Sequence, residues 1–494
     1  MERDKISFLN LFVEEDIVLR IIFQVDFLTI QNLERSSVTL WNFIKSSNVW
    51  KRKFHQEFPD FFLNSQNKEI LSREQFNWDD HFKFKRLSLK ILSLHQNWER
   101  KTYLKKNFDL CSKLEEENFR YLDQNVLLTE TCDNFFPTVR SVHDLNRFSL
   151  VHKFDQNSKF RVSSADSRGG FLAVFGEPKL SSEAASHHDC NYMIKVFSLP
   201  KFELVKQSVL LHEGDISPCS CVKIFEKTVL LFVSHKEGKE LNLQDDNEAV
   251  QVFTILDDAK YLVHKKKIIL ELPSKKYLSM WDFDAEYLVG CRKRDTFAEV
   301  WNLKDSISSE DMSKAPLIWS SDISNRSLFK CTCVLINHPD VFIGLSNGRC
   351  DIYDIQFNVK RRSLLHQSPS LPDTDYLFVR KVLTTKHHIL SLSSDGKLYV
   401  WSKEEVLGLG RPEVSLSNPL WTVKSTSRGS RIVNIHVDST KIVTLERSSS
   451  SNSPALIIYD FWHCKKKTGT LAQCYQPFEL KNESRRQIKR CKFC

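Results

Sequence analysis

One short pattern recurs six times in this chain and restricts its fold more than any other feature. In each occurrence a strand-length apolar run ends in an aliphatic residue followed by an aromatic one. The six pairs are Val196-Phe197, Val252-Phe253, Val300-Trp301, Ile352-Tyr353, Val400-Trp401 and Ile458-Tyr459, spaced 48 to 58 residues apart. A period of this length predicts units that pack side by side, because one unit cannot bury its own apolar face.

Further strand signals surround each aromatic pair. The run HHILSLS leads through a tight Ser-Asp-Gly turn into KLYVW, and PLWTV follows it. Four strands in about fifty residues predict a propeller blade, so we expect a WD-repeat-like β-propeller of six to seven blades. A seventh blade can be assembled from Asn125–Phe154 and the region around Thr468–Phe478, which would leave no open sheet edge. The rival architecture is an all-β sandwich.

The stretch from Val13 to Trp50 has a different periodicity. Apolar residues at Ile17, Ile21 and Val25, with Val18 and Ile22 beside them, form one face of a helix. A second short helix is expected through Leu33 with Thr29 as its cap, and a third from Val38 to Lys45. These helices are too short to enclose a large core, so they pack on the rest of the chain or bind a partner.

The order of an apolar helix, a short turn, and Trp41 followed nine residues later by Trp50 resembles an F-box. Asn97-Trp98 resembles the segment that joins F-box to propeller in the F-box/WD-repeat family, and Trp301 and Trp401 stand where WD repeats carry Trp. The resemblance implies a substrate-recognition subunit of a Skp–cullin–F-box ubiquitin ligase. It implies partners in a Skp-family adaptor, the cullin and RING subunits that the adaptor brings, and a protein substrate.

The expected fold class is a multidomain α plus all-β chain. We expect the F-box over residues 8–55, a helical linker over 56–124, the propeller over 125–480 and a basic tail over 481–494. The resemblance implies that the adaptor is bound through a set of apolar residues in the first domain: Ile17, Ile21, Ile22, Val25, Leu33, Trp41 and Trp50.

The resemblance also implies a place for substrate. In a propeller the turns between the second and third strands of each blade crowd onto one face. Here they carry the basic residues Arg292, Lys293, Arg294, Arg349, Lys397 and Arg447. Related receptors use basic groups on such a face to bind phosphorylated segments, and the guanidinium fork pairs with phosphate through two hydrogen bonds.

Composition limits the alternatives. No run of eighteen apolar residues exists, and thirteen cysteines are scattered without a framework, so we expect a chain with reduced thiols in the cytoplasm, the nucleus or both, without a membrane span. The net charge is +9, but nine Lys or Arg against two Asp or Glu lie in 463–494. The basic character therefore belongs mainly to the tail, which argues against a nucleic-acid-binding domain.

No nucleophile elbow, Walker loop, HExxH or GxGxxG occurs, so we expect neither an enzyme nor a cofactor. His187-His188-Asp189-Cys190 and His387-His388 lack a second pair at zinc spacing, so we expect no metal. Cys491 stands where a prenylated cysteine would, but Lys492 and Cys494 do not fit that signal, and we favour a solvated tail. Two functions stay open as alternatives: a scaffold that binds partners without marking them for degradation, and RNA or phosphate binding by the tail.

Overall fold

The computed structural model describes residues 15–57, 80–108, 117–123, 126–133, 136–144, 149–153, 160–168, 171–178, 192–198, 203–209, 221–225, 227–233, 249–256, 261–270, 278–292, 297–309, 313–322, 330–366, 377–408, 418–425, 429–437, 440–448 and 454–461. The chain divides into two units. The first, which we call the helical unit, is Met1–Leu104 together with Asp460–Cys494. The second, the β unit, is Lys105–Tyr459.

The helical unit contains five described helices: α1 Glu15–Gln24, α2 Phe27–Ser36, α3 Val38–Ser46, α4 Val49–Glu57 and α5 Asp80–Glu99. The three short helices expected from the sequence are present. The cap of α2 is Asp26 and not Thr29, because the Asp26 carboxylate accepts the Thr29 N–H at 2.7 Å. Helix α4 was not predicted, since its sequence VWKRKFHQE has only three apolar positions.

The core of the helical unit joins α5 to the first four helices. Ile30, Ile44 and Phe54 are buried there, and the rings of Phe27 and Trp50 stack with centroids 5.9 Å apart. Helix α5 adds a stripe of apolar side chains, namely Phe84, Leu87 and Ile91. The expected linker helix is therefore an integral part of this core.

The β unit is a β-propeller. Its described strands form seven sheets, which we name blades 1 to 7 in chain order. Blade 1 contains β2 Glu117–Asp123, β3 Val126–Asp133, β4 Phe136–Asp144 and β5 Ser149–Lys153. Blade 2 contains β6 Phe160–Arg168, β7 Phe171–Pro178, β8 Met193–Ser198 and β9 Glu203–Val209. Blade 3 contains β10 Cys221–Phe225, β11 Thr228–Val233, β12 Ala249–Leu256 and β13 Tyr261–Leu270.

Blade 4 contains β14 Leu278–Phe283, β15 Tyr287–Arg292, β16 Phe297–Asn302 and β18 Leu317–Asp322. Helix α6 Lys304–Ser308 and strand β17 Lys314–Ala315 lie between its last two strands, and β17 adds a fifth, parallel strand to blade 3. Blade 5 contains β19 Cys331–Asn337, β20 Asp340–Leu345, β21 Arg349–Asp354 and β22 Val359–Leu365. Blade 6 contains β23 Val379–Thr384, β24 His388–Ser393, β25 Leu398–Ser402 and β26 Trp421–Val423, with α7 Lys403–Leu407 before β26.

Blade 7 combines strands from both ends of the propeller. Its order is β1-β29-β28-β27, with β1 Leu104–Phe108 beside β29 Pro454–Asp460, then β28 Lys441–Ser448 and β27 Ser430–Val437. The prediction that strands from both ends close the ring is therefore correct in kind, but the N-terminal strand is β1 and not one from Asn125–Phe154. Blade 1 is complete within 117–153, and the region 468–478 lies outside the described residues. Because β1 and β2 are strands, the propeller begins near Leu104 and not at the expected residue 125.

All six aromatic pairs of the sequence pattern lie on the third strand of a blade. The ladder between third and fourth strands shifts register within the pair in blades 2 to 5, as at Val196/Phe197 and Ile352/Tyr353. The shift recurs in blade 1 at Val142/His143. The bulge therefore recurs at an equivalent position in five of the seven blades, and bulges of this kind bend a strand and increase its twist.

The first strand of each blade is its inner strand. Strands β6 and β10 contact each other, as do β14 and β19, β19 and β23, and β23 and β27. Inner strands therefore face the propeller axis, and the turns between second and third strands share one end of it. We call that end the turn face.

Candidate functional site

The structure separates the seven residues predicted to bind an adaptor. The side chain of Ile21 is 60% exposed on α1, and Val25, Leu33 and Trp41 are half-buried. Ile22 and Trp50 are buried in the core of the helical unit. We therefore exclude these two residues from the predicted adaptor-binding set, because their side chains have almost no exposed surface that a partner could contact. The side chain of Ile17 lies outside the described residues.

Two exposed apolar residues were missed by the sequence analysis. Val38, the first residue of α3, is 76% exposed, and Leu28 near the start of α2 is also exposed. Ser37 caps α3 by accepting the Thr39 N–H at 3.2 Å, which turns the first residue of the helix to the surface. Ile21, Leu28 and Val38 thus give α1, α2 and α3 one exposed aliphatic residue each. We call these three residues the helical apolar set.

Trp41 is held on one side by its own unit. Its ring meets the His81 ring edge-on, with centroids 6.4 Å apart, and the Lys45 ammonium lies 5.3 Å from the indole centroid. Both contacts orient the indole while leaving part of it exposed. The exposed part of the Trp41 indole is therefore held in a fixed orientation by its own unit.

A buried ionic cluster joins α2 to α5. Glu34 Oε1 lies 2.8 Å from His81 Nε2, and Glu34 Oε2 is bonded to the Lys85 ammonium. Burial alone would raise the pKa of Glu34, but the hydrogen bonds from His81 and Lys85 outweigh it and lower this pKa. The cluster thus joins α5 to the buried face of α2.

The predicted substrate residues lie partly on the turn face. Arg349 begins β21 and pairs with Asp351 at 2.9 Å, and Lys397 pairs with Asp395 at 2.5 Å. Their charges are therefore partly neutralised by neighbouring carboxylates. The side chain of Arg292 and both Lys293 and Arg294 lie outside the described residues.

Arg447 has a basic neighbour that the sequence analysis did not identify. In blade 7 it stands directly opposite Arg431, and both side chains are exposed. The turn of blade 6 abuts the same place, since a Cβ on Gly396 would lie 2.6 Å from Arg431 Cβ. Two like charges in register repel each other, so an anion placed between them would be stabilised. The signal that could have found Arg431 is its position in the run RGSRIV, just before a predicted strand.

The turn face also carries a further arginine and two exposed aromatic side chains. Arg380, the second residue of β23, has a buried Nη1 with no hydrogen-bond partner among the described residues. Phe297 and Phe378 are exposed at the same end of blades 4 and 6. Basic and aromatic side chains together suit a peptide that carries both negative charge and apolar residues.

Polar side chains tie successive inner strands together. Ser164 Oγ accepts the Val222 N–H at 3.1 Å between blades 2 and 3, and Asp282 Oδ2 accepts the Ile336 N–H at 3.1 Å between blades 4 and 5. Thr332 donates to the Val379 carbonyl at 2.6 Å. Lys223 makes a tie from blade 3 to blade 4, and Lys381 makes one from blade 6 to blade 7.

Blade 6 contains a buried histidine site. His366 Nε2 contacts Ser391 Oγ, and the imidazole stacks on Tyr399 with centroids 4.4 Å apart and on Trp401 at 5.7 Å. Burial lowers the pKa of His366 to about 4, so the ring is neutral at neutral pH. The sequence analysis singled out Trp401 but not His366, which follows β22, or Ser391, which lies on β24.

The described residues contain no group of three or more His, Cys, Asp or Glu placed to hold a metal ion. His388 begins β24, and the cluster at 187–190 lies outside the described part of the chain, as do the basic tail and Cys491. Across the described ranges, no helix combines the length and apolarity needed to cross a membrane.

Comparison with known proteins gives weak similarities. No family model matches the chain. Protein RCC1 of Candida albicans is 22% identical over 103 residues, which cover 21% of this chain and 22% of that protein. The chain thus spans about a fifth of the length of the curated relative it matches.

Solved structures similar to this chain include propeller-sized proteins at 10–13% identity. A chain of a mitotic checkpoint complex is matched over 73% of this chain and 95% of its own length, with a TM-score of 0.43. Hsv2p of Kluyveromyces lactis is matched over 67% and 89% with a TM-score of 0.40, and the designed Ika8 protein over 69% and 82% with 0.41. None of these likenesses bears on function, and the fold rests on the strand pairing above. A β-propeller of this kind fits a role in protein interaction.

Proposed function

We propose that this chain is the substrate-recognition subunit of a Skp–cullin–F-box ubiquitin ligase. Its helical unit binds the adaptor and its propeller binds a protein substrate, while other subunits perform the ubiquitin chemistry. The observation that supports adaptor binding is the helical apolar set, in which α1, α2 and α3 each expose an aliphatic side chain. Exposed apolar side chains on successive short helices are typical of protein-interaction sites.

The test uses residues whose replacement leaves the core intact. Ile21→Asp and Val38→Asp change exposed side chains, so the helical unit should still fold. Burial of each aliphatic side chain by a partner is worth about 1.5–3 kcal/mol, so each variant should weaken adaptor binding by about tenfold or more. The measurement is co-purification of adaptor and cullin with full-length protein from cells.

Phe357→Asp is the matched control. Phe357 is 72% exposed in a turn of the β unit, so its substitution removes exposed apolar surface at a place outside the helical unit. The proposal expects the control to retain adaptor and cullin. Equal recovery of both partners by all three variants would reject adaptor binding by the helical apolar set.

For the substrate we propose a phosphorylated segment bound at the turn face. The Arg431–Arg447 pair supports this choice, because a phosphate between the two guanidinium groups would offset their repulsion. Arg431→Glu with Arg447→Glu should abolish capture of phosphopeptides from a degenerate library, and Arg431→Lys should keep part of it. Binding that does not depend on phosphorylation in wild type would reject this part of the proposal.

The non-degradative scaffold remains the second candidate function. It is favoured by the propeller itself, which fits protein interaction without a ligase. In that case the Ile21→Asp variant would retain every partner of the wild type. We place the protein in the cytoplasm, the nucleus or both, which imaging of the tagged full-length chain would check.

A further inference from the structure

The described part of the β unit exposes a set of apolar side chains at the outer edge of blades 4 and 5. Phe357, in the turn between β21 and β22, is 72% exposed, and Val359 at the start of β22 is 50% exposed. Ile318, the second residue of β18, is 44% exposed. We call these three residues the rim patch. It lies at the end of the propeller opposite to the turn face, because turns between third and fourth strands lie at that end.

One hydrogen bond between two blades brings the rim patch together. Trp319 Nε1 on β18 donates to Asn358 Oδ1, in the turn of blade 5, at 2.9 Å. Ile318 precedes Trp319 in the chain, and Phe357 and Val359 flank Asn358. The three exposed apolar residues are therefore neighbours across the boundary between blades 4 and 5.

The turn that carries Phe357 is held at both ends. At its start, Asp354 Oδ1 accepts the N–H of Gln356 at 2.9 Å and that of Phe357 at 3.1 Å. At its end, Asn358 has a φ of +52° and accepts the bond from Trp319. Because the turn is already ordered, a partner that packs on Phe357 loses little affinity to the ordering of this segment. Aromatic anchors of this kind dominate the affinity of many interfaces.

Basic residues follow the rim patch along β22. Lys360, Arg361 and Arg362 are the second to fourth residues of that strand, and Lys360 is exposed. Among the described residues of β18, β22 and the turn before β22, the one carboxylate is that of Asp322. Asp322 ends β18, so it lies at the opposite end of that strand from the rim patch.

The ion pair of Lys360 leaves positive charge at the surface. Its ammonium lies 2.7 Å from Asp351 Oδ2, but Asp351 is fully buried and its other oxygen lies 2.9 Å from Arg349 Nε. Two cations therefore share one buried carboxylate. A partner that supplies further carboxylates would complement this charge.

The exposed acidic residues of blade 6 lie on the other face of blade 5. They are the pair Glu404-Glu405 on α7, and Val406 of the same helix packs in one core cluster with Ile352. Trp319 packs in a different cluster with Tyr353. Consecutive residues of a strand point to opposite faces, so α7 and the Trp319 contact lie on opposite faces of β21.

We propose that the rim patch is a docking site for an acidic segment of a partner protein. An apolar side chain of that segment packs on Phe357, and its carboxylates face Lys360. The site depends on neither the adaptor surface nor the substrate surface proposed above, and it gives the propeller a protein contact at its other end. Exposed apolar surface supplies the affinity, and the basic residues select the charge of the partner.

The test selects ligands with the full-length protein from a displayed library of random linear peptides. We expect the enriched peptides to combine an aromatic or aliphatic residue with Asp or Glu, and the most enriched one is synthesised for titration. Phe357→Asp should weaken its binding by at least about tenfold, because the buried area of the ring is lost. Ile318→Asp, on the neighbouring blade, should also weaken it. Lys360→Glu should weaken it several-fold.

Two variants are matched controls. Val38→Asp changes an aliphatic residue that is as exposed as Phe357 but lies on the helical unit, so it should bind the peptide as the wild type does. Lys265→Glu reverses the charge of an exposed lysine on the outer strand of blade 3, and it should also leave the affinity unchanged. Thermal unfolding checks that each variant is folded.

Three results would overturn the proposal. One is equal binding of the enriched peptides by wild type and by folded Phe357→Asp and Ile318→Asp. Another is a selected peptide set with no excess of Asp and Glu over the unselected library. The third is failure to enrich any peptide, and in that case binding of phosphatidylserine vesicles by wild type but not by Phe357→Asp would assign the rim patch to a membrane. Because Phe357→Asp is expected to keep adaptor and cullin, none of these results bears on the adaptor proposal.

Discussion

Glu34 and His81 are joined by a 2.8 Å contact between Oε1 and Nε2, and each side chain is only 1% exposed. They lie 47 residues apart in sequence, on α2 and α5. A buried carboxylate that loses a partner keeps its desolvation cost without compensation. This pair therefore controls how firmly α5 is held in the helical unit.

The first prediction concerns removal of this pair. Glu34→Ala leaves His81 and Lys85 without their shared acceptor, and we expect a loss of about 3–5 kcal/mol in the free energy of unfolding of the helical unit. Urea denaturation followed by tryptophan fluorescence measures it, since Trp50 lies in the same core. Glu286→Ala is the control, because its pair with Lys304 is exposed to solvent and should contribute far less than the buried cluster. Similar losses in both variants would contradict the prediction.

The second prediction concerns the pH dependence of propeller stability. The pKa of His366 is about 4 in the folded protein, against an ordinary value of 6.5 for histidine. As the pH falls, the unfolded chain therefore binds a proton on this ring at a higher pH than the folded protein does. The contribution of His366 is therefore complete above pH 6.5 and is lost as the pH falls towards 4, with a total of about 3 kcal/mol.

Chemical denaturation at several pH values between 7.5 and 4 tests this. The wild type should lose stability more steeply than His366→Asn, in which the linked proton is absent. Parallel curves for the two proteins would show that His366 does not titrate in this window.

The third prediction concerns the turn of blade 6. Gly396 has a φ of +78°, and an added Cβ would lie 2.6 Å from Arg431 Cβ and 2.9 Å from the Ile432 nitrogen. Gly396→Ala combines backbone strain with a clash against β27, so we expect a loss of about 1–3 kcal/mol. Asp395→Ala, one residue earlier, is the comparison, because it removes the pair with Lys397 and the hydrogen bonds that Asp395 accepts in the turn, without backbone strain or a clash. Thermal unfolding of both variants decides whether the close approach between blades 6 and 7 has the expected cost.

The fourth prediction concerns the end of α5. Trp98 is buried and stacks on Phe461 with centroids 4.1 Å apart, and Asn97 donates to the Phe461 carbonyl at 2.9 Å. Trp98→Ala should cost about 3–5 kcal/mol, because it removes a large buried ring. A double-mutant cycle with Phe461→Ala should give a coupling of about 0.5–1.5 kcal/mol beyond the lost area. Strict additivity of the two substitutions would show that the rings do not interact.

The sequence predicted the propeller because its strongest signal lies in its most buried strands. Phe253, Trp301 and Trp401 are all buried on third strands, and the first two stand beside a bulge. The sequence pattern missed blade 1 because His143, and not Phe, Trp or Tyr, stands at the position of the aromatic residue in its third strand. Strand β1 escaped because LKKNF has five residues, two of them lysines, and it becomes a strand only by pairing with β29.

The interaction surfaces could be predicted only in part. Helical periodicity placed Ile21 and Ile22 on one apolar side of α1, but which of the two neighbours is covered depends on the core that the helices form together. That core includes side chains of α5, which lies more than fifty residues later, where a local pattern cannot reach. In the same way Arg431 and Arg447 become a pair only through the register of β27 and β28.

The strand order of blade 7 has a consequence for synthesis on the ribosome. Strand β1 is among the first parts of the propeller to emerge, yet its partner β29 spans Pro454–Asp460. A nascent chain that has reached residue 453 holds complete blades beside an unpaired strand edge, which is open to wrong pairing until the last strand is made. Premature termination before that point should therefore yield an aggregation-prone chain that needs chaperones, while termination shortly after it leaves the ring able to close.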